Sequence, residues 1–90
     1  MQINRNNDNE FLSVGFGNAI ITSRIIALIT PNTASGKRIR EEARESNRLV
    51  DVTLGRKIRS IILMDSGHVI LSALNTETII GRLHNDSAKE

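Results

Sequence analysis

The apolar patterning of this 90-residue chain predicts an α+β fold: small antiparallel sheets, one central helix and a short C-terminal helix, in the order β-β-α-β-β-β-α. Three observations carry that prediction. Apolar residues alternate with polar ones in several short runs bounded by turn signals. One charged stretch, Lys37 to Asn47, has helical spacing. Thirteen isoleucines against two aromatic residues, Phe11 and Phe16, describe an aliphatic core of the β-branched kind that suits sheets.

Taken in order, Leu12, Val14 and Phe16 share one face of a first strand that ends at the turn signal Gly17-Asn18. A second strand is predicted over 19–29, with Ile20, Ile26 and Leu28 on one face and Ile21, Ile25, Ala27 and Ile29 on the other. Thr22 and Arg24 interrupt it, and Pro31 ends it. The helix over 37–47 has Thr33 or Ser35 as N-cap and a narrow apolar stripe, Ile39 and Ala43. Leu49 to Thr53 reads as a strand, and Gly55-Arg56-Lys57 as a turn. Ile58–Met64 and Val69–Leu74 form a hairpin across Asp65-Ser66-Gly67-His68. Asn75 or Thr76 caps a short helix bearing Ile79, Ile80 and Leu83. Residues 1–10 read as a loose polar tail, 11–83 as a single domain and 84–90 as a second polar tail. A strand apolar on both faces over 19–29 needs cover on both sides. One mostly polar helix and one short helix leave part of that cover to a second copy, so a homo-oligomer is expected.

Composition excludes several functions. Without cysteine there are no disulfides, thiolate metal sites or thiol nucleophiles. His68 and His84 stand in no metal-ligand spacing, and no paired carboxylates accompany them. Gly15-x-Gly17 lies in a hairpin rather than at a strand-to-helix turn, and Ser35-Gly36-Lys37-Arg38 lacks the first glycine and the hydroxyl of a phosphate loop. No enzyme, cofactor, metal or small-molecule substrate is legible. The longest apolar run, Ile25 to Ile29, is far below the ~20 residues of a membrane span. The polar start carries no signal peptide, so a cytoplasmic protein without a membrane partner is expected. Two aromatics also disfavour single-strand binding by base stacking.

The charge distribution points to a polyanionic partner. Eight of the twelve lysines and arginines lie between Lys37 and Arg59. Three sites depart from local rules. Lys37 and Arg38 oppose the macrodipole at the predicted helix start, which fits either an anion docked there or neutralisation by Glu41 and Glu42. Arg24 interrupts an apolar strand, either paired with Asp51 or waiting for a ligand. Arg56 and Lys57 follow a turn glycine, with Arg59 on the strand parity of Lys57, forming either a solvated turn or a tip that grips phosphates.

Several collinear motifs then resemble the RemA family of small bacterial DNA-binding regulators. They are Leu12-Ser13-Val14-Gly15-Phe16-Gly17-Asn18, Ser23-Arg24-Ile25-Ile26-Ala27, Lys37-Arg38 with Glu42-Ala43-Arg44, Leu49-Val50-Asp51-Val52-Thr53-Leu54-Gly55-Arg56-Lys57, and Met64 to Ala73 with Glu77-Thr78. The resemblance covers about Leu12 to Leu83. It implies a fold related to the LytTR type, ring assembly, control of extracellular-matrix and biofilm genes, and duplex-DNA contacts at Arg24, Arg56 and Lys57. Arg59, Lys37 and Arg38 widen the expected basic surface. The chain departs from the family pattern at Ser35, where a second proline is usual, at Lys57, where an arginine is typical, and at Ser46-Asn47-Arg48, where a glycine is common. The expected function is therefore an oligomeric double-stranded-DNA-binding transcriptional regulator. An oligomeric scaffold for an acidic protein partner and an RNA-binding module are the alternatives.

Overall fold

A computed structural model describes residues 10–88. Its elements are β1 (Phe11–Gly15), β2 (Asn18–Ile21), a single 3-10 turn (Thr22–Arg24), β3 (Ile25–Ile29), α1 (Ala34–Glu45), β4 (Leu49–Asp51), β5 (Ser60–Met64), β6 (Val69–Ser72) and α2 (Thr76–Ala88). The α+β class holds, with three differences from the predicted order.

The first difference is the strand over 19–29, which is two strands in two sheets. β1 and β2 form a separate antiparallel hairpin, whereas β3 belongs to a four-stranded sheet ordered β3-β5-β6-β4. The 3-10 turn carries the chain from one layer to the other, and Thr22 N–H closes the hairpin by donating to the Glu10 carbonyl at 2.9 Å. The second is the face pattern of β3. A bulge between Ile25 and Ala27 shifts the register, so Ile25 and Leu28 enter the same core cluster although simple alternation sets them apart. The third is β4, which pairs with β6 in parallel, so the main sheet is mixed rather than antiparallel.

The main sheet is the middle of three layers. Ile61 of β5 and Val69 and Leu71 of β6 pack with Ala43, Ile39 and Leu49 under α1. The alternate residues Ile62, Met64 and Ile70 pack with Leu12 and Val14 of the hairpin and Ile79 of α2. Strand periodicity thus sends one row to each layer, which is why both rows of β5 are apolar. Ser72 Oγ donates to the Val14 carbonyl at 2.8 Å and fastens the hairpin to the sheet. This chain's own helices and hairpin therefore cover both faces of β5. Most of the large apolar side chains that stay exposed lie at edges and turns, among them Ile26 at 61 % on edge strand β3, Val50 on edge strand β4, and Phe11 and Ile21 on the hairpin, while Ile80 is exposed on α2.

Helix α1 begins three residues before the predicted Lys37. Thr33 is its N-cap, accepting from Gly36 N–H at 2.9 Å. Gly36 is needed because a Cβ there would lie 2.5 Å from the Thr30 carbonyl oxygen, so its likeness to a phosphate-loop glycine reflects close packing. Asn75 caps α2, its Oδ1 accepting from Thr78 N–H at 2.9 Å. The helix then runs to Ala88, past the point where the sequence suggests a tail. The expected N-terminal tail lies outside the described residues except for Glu10.

Candidate nucleic-acid interface

The six predicted contact residues come from three separate segments of the chain. Arg24 sits where β3 begins, beside the C-terminal end of β5: its carbonyl accepts from Asp65 N–H at 2.8 Å. Arg56, Lys57 and Arg59 precede the N-terminal end of β5 at Ser60. The five residues of β5 separate the two groups by about 17 Å at ~3.4 Å per residue. Lys37 and Arg38 stand on α1.

At the first end Arg24 is already paired. Its Nη1 lies 3.1 Å from Asp65 Oδ2, with the two side chains 62 % and 43 % exposed. The partner is Asp65 of the β5–β6 turn rather than Asp51, since β3 adjoins β5 and β4 lies at the far edge. The pair borders an apolar cleft of about 490 Å³ lined by Phe11, Ile20, Ile21 and Met64 among others.

The second end is assembled by two tight turns. Asp51 begins one of them: its Oδ1 accepts from Thr53 N–H at 2.9 Å and from Thr53 Oγ1 at 2.6 Å. These hydrogen bonds stabilise the carboxylate and hold the Asp51 pKa below the ordinary aspartate range, against a smaller opposing effect of burial. Arg56 N–H then donates to the Thr53 carbonyl at 3.1 Å. Between them Leu54 (φ 55°) and Gly55 (φ 79°) are both left-handed, as in a type I′ turn. The β1–β2 turn repeats the arrangement, with Phe16 (φ 55°) followed by Gly17 (φ 81°), and Asn18 Nδ2 donates to the Gly15 and Phe16 carbonyls. The two turns meet where the Arg56 guanidinium lies over the Phe16 ring, 4.7 Å from its centroid.

Lys57, Ile58 and Arg59 continue from this tip into an open cleft of about 320 Å³. Thr30, Pro31 and Asn32 line its other side, with Asn75, Thr76 and Glu77 at the start of α2. Among the described residues, Arg56, Lys57 and Arg59 have no carboxylate within ion-pair distance. The same holds for Lys37 and Arg38, because Glu41 faces Arg44 at 3.9 Å instead. Those two cations lie one turn inside α1, beyond the capped first turn, so the conflict with the macrodipole is smaller than the sequence suggests.

Sequence reasoning missed two contributors. Phe16 looks like a core residue by alternation, but the left-handed turn swings it out to Arg56. Asp51 looks like a partner for a cation, yet it shapes the turn that carries one. The Asp-x-Thr spacing before Gly-Arg is the signal that could have found the second, because a short acceptor two residues ahead of a hydroxyl favours a local turn. Arg48 is structural: its Nε donates to Ser46 Oγ at 2.8 Å and its Nη1 to the Gly67 carbonyl, joining the α1–β4 corner to the β5–β6 turn.

Comparison with known proteins places this arrangement in a family. The family described as RemA-like, extracellular matrix regulatory protein A-like, matches residues 11–83. The chain belongs to the RemA-like family. Its relatives include a protein of Nitratidesulfovibrio vulgaris strain DP4, 51 % identical over 71 residues, covering 79 % of this chain and 83 % of the relative. A protein of the Miyazaki F strain is 45 % identical over 84 residues, covering 93 % and 96 %. One from Finegoldia magna is 51 % identical over 81 residues, covering 90 % and 98 %. All three carry the name "putative regulatory protein". Membership of the RemA-like family and these names support a regulatory role rather than an enzymatic one. No helix among the described residues is long and apolar enough to cross a membrane, and none of their His, Asp and Glu side chains group to hold a metal ion.

Proposed function

We propose that this RemA-like protein is an oligomeric transcriptional regulator that binds duplex DNA through Arg56, Lys57 and Arg59, acting in the bacterial cytoplasm without catalysis. The observation that carries the reading is the group of three cations just before β5, with Arg56 closing a hydrogen-bonded turn and all three free of carboxylate partners among the described residues. A cation without an internal partner keeps its field available to phosphate. Arg24 also belongs to the contact surface in this reading, with Asp65 giving way to a DNA phosphate. The two ends of β5 lie too far apart to act as one point of contact in a single copy. Head-to-tail copies would bring the Arg24 end of one subunit beside the Arg56 end of the next, and a ring is the closed form of that arrangement. Few charges per copy make weak contacts, which repetition along one DNA molecule strengthens through effective concentration. Kinship with LytTR-type domains and control of matrix and biofilm genes belong to the same proposal.

The test is binding to long duplex DNA across a salt series, with mass followed by light scattering and competition by duplex RNA and by a polyacidic peptide. The reading expects an oligomer with a steep negative salt slope that prefers DNA. A preference for the peptide would favour a scaffold for an acidic partner, a preference for RNA an RNA-binding module, and a monomer would remove the assembly.

A further inference from the structure

Phe16 stands where a tight turn does not favour it. In a type I′ turn the first central residue is left-handed, a place suited to Asn, Asp or Gly, and a bulky side chain there is strained by its own carbonyl. Burial does not repay the strain, since Phe16 is 44 % exposed. What the position does achieve is to lay an aromatic face under the Arg56 guanidinium, across 40 residues of sequence. The second turn fixes the other half of the contact, since Asp51, Thr53 and the Thr53–Arg56 hydrogen bond hold the backbone from which Arg56 projects.

We propose that Phe16 is a positioning residue for DNA binding: its ring restrains the Arg56 side chain so that the guanidinium edge is presented to a phosphate. The inference rests on the DNA-binding reading above. A free arginine at a turn tip samples many rotamers, and a partner that orders it pays that entropy on binding. A ring beneath the guanidinium removes part of that cost beforehand. It does so without occupying the N–H donors, which lie in the guanidinium plane and have no acceptor among the described residues. A carboxylate could restrain Arg56 equally well, but it would cancel the charge and compete with phosphate. An aromatic face holds the cation and leaves its charge intact.

A double-mutant cycle tests the assignment, using the full chain and duplex DNA at fixed salt. Phe16→Leu should weaken binding about two- to fivefold, the range expected of an exposed cation–π contact, whereas Phe16→Tyr should bind as the unaltered protein does. In an Arg56→Ala background Phe16→Leu should change nothing, because its effect passes through Arg56. The same loss in that background would overturn the proposal by showing that Phe16 acts independently. No loss on Phe16→Leu in the Arg56 protein would overturn it too. The free protein supplies a readout that needs no DNA: the Arg56 Nε–H resonance should carry a ring-current shift that Phe16→Leu abolishes. A resonance unmoved by Phe16→Leu overturns the stacking itself. A shift that is present in a protein that binds no duplex overturns the DNA-binding reading while leaving the stacking in place.

Discussion

The two ends of β5 hold arginines in opposite ways. At one end Arg24 is answered by Asp65, in a pair open enough to water that it adds only ~0–1 kcal/mol to stability. At the other, Arg56 rests on an aromatic ring, while Lys57 and Arg59 line a cleft and have no carboxylate at ion-pair distance among the described residues. The first arrangement conceals a charge from its surroundings and the second displays one. The lesson is that the number of basic residues in a stretch predicts a polyanion surface less well than their internal partners do, and of the two ends of β5 only the Arg56 end displays its charge.

The difference can be broken most directly at that end. Replacing Arg56 and Lys57 together by alanine should lower duplex-DNA affinity at least about tenfold. It should also reduce the magnitude of the salt slope by about 2, one for each cation that no longer meets a phosphate. Titration by fluorescence anisotropy at several salt concentrations would measure both. The fold should be unaffected, since neither side chain is buried.

A second change removes the support beneath the tip. Thr53 is fully buried and supplies both hydrogen bonds to Asp51. Thr53→Val keeps the volume but loses the hydroxyl, and should cost about 1–2 kcal/mol in denaturant unfolding. It should also alter the acid limb of stability. A carboxylate whose folded pKa is depressed contributes stability above its unfolded value near ~3.9 and loses it as pH falls through the lower folded value. The gap in stability between Thr53→Val and the unaltered protein should therefore narrow as pH falls from about 4 through the lower folded value.

Leu54 offers the opposite sign. It is 70 % exposed and left-handed, so asparagine in its place should raise unfolding stability by a few tenths to about 1 kcal/mol, measured by thermal melting. Asp65→Asn should give the smallest change in stability, below about 1 kcal/mol. By freeing Arg24 it should nonetheless tighten DNA binding if that end takes part.

Much of this arrangement was legible in the sequence because it is local. The β5–β6 hairpin follows from alternation around Asp65-Ser66-Gly67-His68, and the Asn75 cap from a side chain that bonds three residues on. The division of residues 19–29 was not legible. Thr22-Ser23-Arg24 contains no glycine or proline, and only the need to pass from the hairpin layer to the main sheet makes it turn. The parallel pairing of β4 with β6 was hidden for a related reason: it depends on where the loop from Val52 to Arg59 places β5. At the candidate interface the residue types and their positions were visible, but the partnerships were not. Arg24 with Asp65 and Arg56 with Phe16 each span about 40 residues, and no local rule reaches so far.

The most direct test of the displayed end is the affinity of the full chain for duplex DNA across a salt series, compared with that of Arg56→Ala/Lys57→Ala. A steep negative slope that flattens on substitution, with affinity falling at least about tenfold, is the predicted result. Equal affinity and equal slope in the two proteins would contradict the claim that this end of β5 binds DNA.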